Sequence, residues 1–271
     1  MSRRLAVLAV ALALVVAGCT ASAPTASTDS PTVTPAPVPT PDSVPGPGLS
    51  PVGIEDPEAV VDAHARALRD RSVAVTVERS LSYANGTDRT YTRVVEHAAA
   101  NRSRYRISVT HRGLLAPPDG RRVTYFADGT RVLKAVVTDD ARYRVVRGPD
   151  DAPIRPAEGP VAPVHAAALT DIFAPVESTR VELAGRSPDG VGRYRLTATE
   201  VNASVLARNQ PVETVRRAHV ETVVTDRGVV RRVRLRYVGT LDGRRVVGTQ
   251  RIVYEDVGNT TVRRPAWTTV V

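Results

Sequence analysis

VVRRVRLRYVGTLDGRRVVGTQRIVY, residues 229–254, decides the fold. Val233, Leu235 and Tyr237 alternate with Arg232, Arg234 and Arg236, the period-two pattern of a strand with one buried and one solvated face. Asp242-Gly243 breaks the run, and a second strand returns over 245–254, as in two antiparallel strands joined by a tight turn. Arg227-Gly228 makes the same break upstream, setting off a strand over 215–225. Further strands are expected over 193–199, where Tyr194 and Leu196 alternate with Arg193 and Arg195, and over 181–184.

The N-terminal half repeats the pattern. Val73, Val75 and Val77 alternate with smaller or polar residues, and Asn85-Gly86 is a strong hairpin signal, because a primed turn needs positive φ at both central positions. Tyr105, Ile107 and Val109 alternate with Arg104, Arg106 and Ser108. Asp128-Gly129 joins 123–126 to 132–137, and Tyr143 and Val145 alternate with Arg142 and Arg144. Before these strands Asp56, Pro57 and Glu58 open a helix as cap, first-turn proline and acid at the positive helix end. Val60, Val61, His64, Ala67 and Leu68 form its apolar stripe. Between the two sets of strands, RGPDDAPIRPAEGP (147–160) breaks the periodicity and a short helix is expected over 164–173.

About eleven strands with short links and only two helices give an α+β fold built on an antiparallel meander. One strand face is aliphatic or tyrosyl, and the other carries arginine in series. Two helices are few for so many strands. Either the sheet curls until its apolar face meets itself, or a cavity stays open beneath the helices.

The chain before residue 54 is different in kind. Ser2-Arg3-Arg4, the apolar run 5–16 and the small residues Ala17-Gly18 have the layout of an export signal, residues 1–18. The run of roughly a dozen residues is shorter than the ~20 a spanning helix needs. Cys19, the single cysteine, follows directly. Residues 19–53 are Pro, Thr, Ser and Ala with almost no charge, for example PTVTPAPVPTPDSVPGPG (31–48). Such a segment cannot bury enough surface to offset its ordering entropy and reads as an extended tether, reaching on the order of 100 Å. Residues 54–271 are left for the folded domain, long enough for one substantial core.

Val16-Ala17-Gly18-Cys19 resembles a lipobox, in which the cysteine is lipidated and becomes the first mature residue. Together with the Thr/Pro tether, the helix-then-strands layout and the ending YEDVGNTTVRRPAW (254–267), it resembles an uncharacterised family of haloarchaeal lipoproteins. More distantly the layout is similar to periplasmic lipoprotein carriers and mycobacterial lipid-binding lipoproteins. That resemblance implies a strongly curved, half-open barrel of about eleven strands with two helices packed on its concave side, and a hydrophobic ligand, lipid or isoprenoid, held in an apolar trough. Val75, Val77, Tyr105, Ile107, Val109, Tyr143 and Val145 from the first half, with Tyr194, Leu196, Leu235 and Tyr237 from the second, are the residues expected to line it. The expected setting is the outer side of a cell membrane, reached through the lipid on Cys19. The alternative is a non-catalytic adhesion or scaffold module of the cell envelope with a filled core.

With one cysteine no intrachain disulfide is available, so an exported fold must rely on burial. The net charge of +9 comes almost wholly from arginine, Lys134 being the single lysine. On an exported chain nucleic acid is not the expected partner. The arginine rows are either a solvated sheet face partly paired with Glu and Asp or a surface pressed on anionic headgroups. Sequons at Asn85, Asn101, Asn202 and Asn259 are candidate glycan acceptors. No GxSxG elbow, phosphate-binding glycine loop or HExxH occurs, and the histidines, His64, His97, His111, His165 and His219, lack metal-ligand spacing. His97 and His111 could approach each other across neighbouring strands, but half-exposed strand histidines are the expected reading. No enzyme, cofactor or metal is expected.

Overall fold

The computed structural model describes residues 46–116, 122–137, 141–159 and 166–270. The expected export signal, Cys19, the tether as far as residue 45, and His165 lie outside the described residues.

Helix α1 (Pro57–Leu68) starts as its sequence dictates, with the Asp56 carboxylate accepting from the Ala59 N–H at 3.0 Å and proline in the first turn. Its last turn is held from outside, where the Arg102 guanidinium donates to the Leu68 carbonyl at 3.1 Å. Ahead of it, β1 (Leu49–Ser50) and β2 (Gly53–Ile54) pair with each other, and the Ile54 N–H donates to Thr179 Oγ1. Leu49 is buried, so residues 46–54 belong to the packed part of the chain.

The main sheet contains β3 (Val73–Tyr83), β4 (Asp88–Ala98), β5 (Arg104–Arg112), β6 (Arg122–Asp128), β7 (Val132–Val137) and β8 (Ala141–Val145). After helix α2 (Ala166–Phe173) come β9 (Val176–Arg186), β10 (Gly192–Val201), helix α3 (Ala203–Asn209), β11 (Thr214–Thr225), β12 (Val230–Leu241) and β13 (Arg244–Glu255). All eleven strands form one antiparallel sheet in the order β8-β7-β6-β5-β4-β3-β13-β12-β11-β10-β9. Each half is a meander, as the turn signals require. Asp242 and Gly243 both take positive φ, 50° and 66°, the geometry of a primed hairpin turn.

The halves join through β3 and β13, where Tyr83 faces Val246 and Ala74 faces Glu255. That pairing leaves β8 and β9 as the two edges, and the sheet stays an unclosed half-barrel. The connection from β8 to β9 must therefore travel from one edge to the other. It carries a 3₁₀ turn at Pro156–Glu158 and then α2.

Among the described residues three helices are found where two were expected. The additional one, α3, has a single buried residue, Leu206, and so shows no apolar stripe in the sequence. Its start is written at Asn202, whose side-chain oxygen accepts from the Val205 N–H at 3.1 Å. The same asparagine is the first residue of a sequon, so one side chain carries both signals.

The three helices lie on one face of the sheet, called here the inner face. Leu68 of α1, Leu169, Ile172 and Phe173 of α2 and Leu206 of α3 join Val75, Val77, Leu196, Val233, Leu235, Tyr237 and Ile252 in one apolar cluster. A second, smaller cluster on the other half of the same face contains Ala98, Tyr105, Ile107, Ala127 and Val132.

Candidate ligand-binding site

Eight of the residues expected to line a trough, Val75, Val77, Tyr105, Ile107, Tyr194, Leu196, Leu235 and Tyr237, are 5% exposed or less. All eight share the inner face, and the strand register shows why. Val75 and Val77 stand opposite Glu96 and Val94, which in turn face Ile107 and Val109, while Leu235 faces Val220 and Gln250. Val109 is half-buried at the margin of the smaller cluster. Over the β3 and β9–β13 half the cover is α1, α2 and α3.

Over β4–β7 the cover is the connecting segment. Ile154 and Val146 pack there, and the Tyr105 hydroxyl donates to the Pro156 carbonyl at 3.4 Å. A Cβ at Gly159 would overlap that hydroxyl, so the chain runs directly across the ring. Burial raises the Tyr105 phenol to about 12, with the Glu96 carboxylate adding to the effect, and burial also raises Tyr237 to about 12. Both phenols stay neutral at neutral pH.

Tyr143 and Val145, also expected in the trough, are on the opposite, outer face. Tyr143 stands opposite Ala135 and Val145 opposite Leu133, and these face Thr124 and Phe126, which face Ser108 and Arg106. The partners Arg142 and Arg144, expected on the solvated side, are therefore on the inner face, opposite Val136 and Lys134. The physical reason is a second apolar layer. Phe126, Leu133 and Ala135 are buried on the outer face, and Trp267, from the 3₁₀ helix Ala266–Val270, stacks on Tyr143 with centroids 5.6 Å apart and planes 10° from parallel. The C-terminal segment covers this part of the outer face, so β6 and β7 are apolar on both sides. Their sequences, RVTYFAD and VLKAVV, carry that signal, since both parities are apolar.

Elsewhere the outer face is basic as expected. Arg232, Arg234 and Arg236 are exposed. Arg195 pairs with Glu221 at 3.6 Å, and Glu78 pairs with both Arg251 at 3.3 Å and Arg93 at 3.4 Å. Pairs this exposed contribute about 0–1 kcal/mol each. They soften the repulsion between the rows without neutralising them.

His64, on the α1 stripe, is fully buried, accepting from the Val230 N–H at Nδ1 (3.1 Å) and meeting the Tyr254 ring edge-on at 4.4 Å. It ties α1 to β12 and β13. His97 and His111 lie on opposite faces and do not approach each other, His97 being opposite Arg106, and His111 opposite Thr92. Among the described residues no three His, Cys, Asp or Glu side chains gather as a metal site. Asn85, Asn101 and Asn259 are exposed, whereas Asn202 is half-buried and also donates from its amide to Glu177 at 2.7 Å.

Residues 4–269 match the model of a family of unknown function, DUF7537. The chain belongs to that family. This DUF7537 protein is also similar to three solved structures. The lipoprotein LppX of Mycobacterium tuberculosis is 14% identical, with 76% of this chain and 98% of that one covered and a TM-score of 0.36. A LolA superfamily protein of Nitrosomonas europaea is 12% identical, with 79% and 96% covered and a TM-score of 0.25. A DUF1329 family protein of Desulfovibrio piger is 11% identical, with 78% and 95% covered and a TM-score of 0.23. No curated protein matches the sequence.

Proposed function

We propose that this protein is a non-catalytic lipoprotein, anchored through Cys19 to the outer side of a cell membrane, whose half-barrel takes a lipid or isoprenoid between the inner face and its helices. The observation that carries this reading is the way the inner face is covered. The apolar surface belongs to a sheet whose edges do not meet, and its lid is made of separate short pieces. Helices α2 and α3, of 8 and 7 residues, are far below the roughly 12–15 residues at which a helix holds its shape alone in water. They persist by resting on the sheet, and a hydrocarbon chain that replaces their apolar contacts can lift them at little net cost.

Arithmetic on the lipid supports the anchor. Each buried methylene contributes about 0.8 kcal/mol, so two acyl chains hold a protein to a membrane where one is marginal. Among the described residues no helix is long and apolar enough to cross a membrane, a statement about helices alone.

A second reading, an adhesion or scaffold module with a filled core, is favoured by the near-complete burial of the eight inner-face residues beneath the helices and the connecting segment. Native mass spectrometry of the full chain extracted from its own membranes separates the two. Co-purifying lipid is the expected result, and lipid-free protein assigns the chain to the second reading. Anchoring has its own test in Cys19→Ser, which should release the chain into the medium or stall its processing. Unchanged membrane fractionation of that variant would overturn the anchor.

A further inference from the structure

The inner face changes character at one edge. Across β3–β6 and β9–β13 it is mainly apolar, with Arg79 and the buried Glu96 among its charged exceptions, whereas Lys134, Arg142 and Arg144 stand together on it at β7 and β8. Tyr125 faces Ile107 on one side and Lys134 on the other, and Lys134 faces Arg144, so the cations continue the same surface that Tyr105 and Ile107 begin. The Lys134 ammonium lies 5.4 Å from the centroid of the Tyr125 ring. Arg142 and Arg144 are exposed and Lys134 is half-buried.

The inner-face carboxylate in their row is the buried Glu96 of β4, which Ile107 of β5 and Tyr125 of β6 separate from Lys134, and no ion pair among the described residues joins the three cations to a carboxylate. The inner positions of β6, β7 and β8 are Val123, Tyr125, Ala127, Val132, Lys134, Val136, Arg142 and Arg144, none of them acidic. The described acids of the adjoining connection are engaged locally. Asp150 accepts from the Ala152 N–H, Asp151 is 3.9 Å from Arg147, and Glu158 accepts from the Arg155 N–H. The opposite edge differs, since β9 presents Val181 and the exposed Leu183 on its inner face. One lip of the opening is cationic and the other apolar.

We propose that the ligand is an anionic amphiphile, a hydrocarbon chain ending in a phosphate, sulfate or carboxylate, which lies along the inner face with its head at Lys134, Arg142 and Arg144. This rests on the hydrophobic-ligand reading above and names the ligand's chemistry. The two guanidinium groups offer planar, paired N–H donors suited to such oxygens, and the ammonium adds a compact point charge. A neutral chain finds the same apolar floor but nothing for its end.

The test gives the full chain in detergent equimolar dioleoyl phosphatidylglycerol and dioleoylglycerol and counts bound lipid by native mass spectrometry. The protein should prefer the phosphatidylglycerol by about tenfold or more, as a few charge-assisted hydrogen bonds imply. The variant Lys134→Gln/Arg142→Gln/Arg144→Gln should lose the preference and still bind dioleoylglycerol. The outer-face variant Arg232→Gln/Arg234→Gln/Arg236→Gln, which removes the same charge, should keep it. Equal binding of both lipids by the unaltered protein overturns the proposal, as does loss of preference in the outer-face variant. Inward charges on an edge strand also discourage edge-to-edge pairing. A triple inner-face variant that only aggregates more readily, with its preference intact, would show that guarding the edge is their whole role and sink the proposal. Binding of neither lipid instead removes the hydrophobic-ligand reading on which it stands.

Discussion

Trp267→Ala is expected to lower the unfolding free energy by about 2 kcal/mol and to expose an apolar surface on the outer face at β6–β8. Truncating a buried Trp costs about 3–5 kcal/mol, and a stacked aromatic pair contributes about 0.5–1.5 kcal/mol beyond its buried area. Trp267 is half-buried, which sets the expectation below the full core value. Its partner Tyr143 is already 40% exposed, so without the indole the tyrosine is left in water on the face where Phe126 and Leu133 are buried. The check is a urea titration followed by far-ultraviolet circular dichroism, with an apolar-surface dye reporting the uncovered patch. Trp267→Phe should recover most of the loss, and Tyr143→Ala should couple to Trp267→Ala in a double-mutant cycle. An unchanged midpoint would mean that the tail rests on the sheet without stabilising it. Trp267 is the only tryptophan, so its fluorescence in the unaltered protein reports docking of the tail directly.

That contact also explains where the sequence could be read and where it could not. Signals that act within a few residues were legible. Asp56-Pro57-Glu58 opens α1, and Asn85-Gly86, Asp128-Gly129 and Asp242-Gly243 separate the strands at the positions found. Alternation within β12 identified its buried side correctly because Arg234 and Leu235 differ so strongly in hydration. In β8, ARYRV alternates just as cleanly, yet parity alone does not say which side is inward. That was decided by a segment more than a hundred positions downstream, Trp267 on Tyr143, which reversed the expected placement of Arg142, Arg144, Tyr143 and Val145. Helix α3 was hidden for a different reason, since a helix that buries one leucine has no periodicity to show. For the candidate site, the apolar floor was visible in the strands of both halves. The cationic lip was not, because it depends on four successive cross-strand registers from β4 to β8.

Gly248→Ala should cost about 3 kcal/mol, and Gly248→Val should prevent stable folding. On the inner face Gly248 of β13 stands between Tyr237 of β12 and Leu81 of β3, directly opposite both. Tyr237 and Leu81 are each 3% exposed, and a Cβ at 248 would overlap the Tyr237 ring. The ring lies over the glycine, the arrangement by which an aromatic side chain covers the gap a glycine leaves in a sheet. Overpacking a tight core costs about 1–3 kcal/mol, sometimes more, when the neighbours cannot move. Tyr237→Ala removes the obstacle while leaving a cavity, so the double variant should be more stable than the sum of the single losses by about 1 kcal/mol or more. The measurement bears on ligand entry as well as on stability. If Gly248→Ala costs less than about 0.5 kcal/mol, the ordinary range for an unconstrained site, Tyr237 can swing aside within the folded protein. The inner face would then admit a hydrocarbon by side-chain rotation, with the helices in place. A loss near the expected value means the floor is rigid, and room for a ligand must come from lifting α2 and α3.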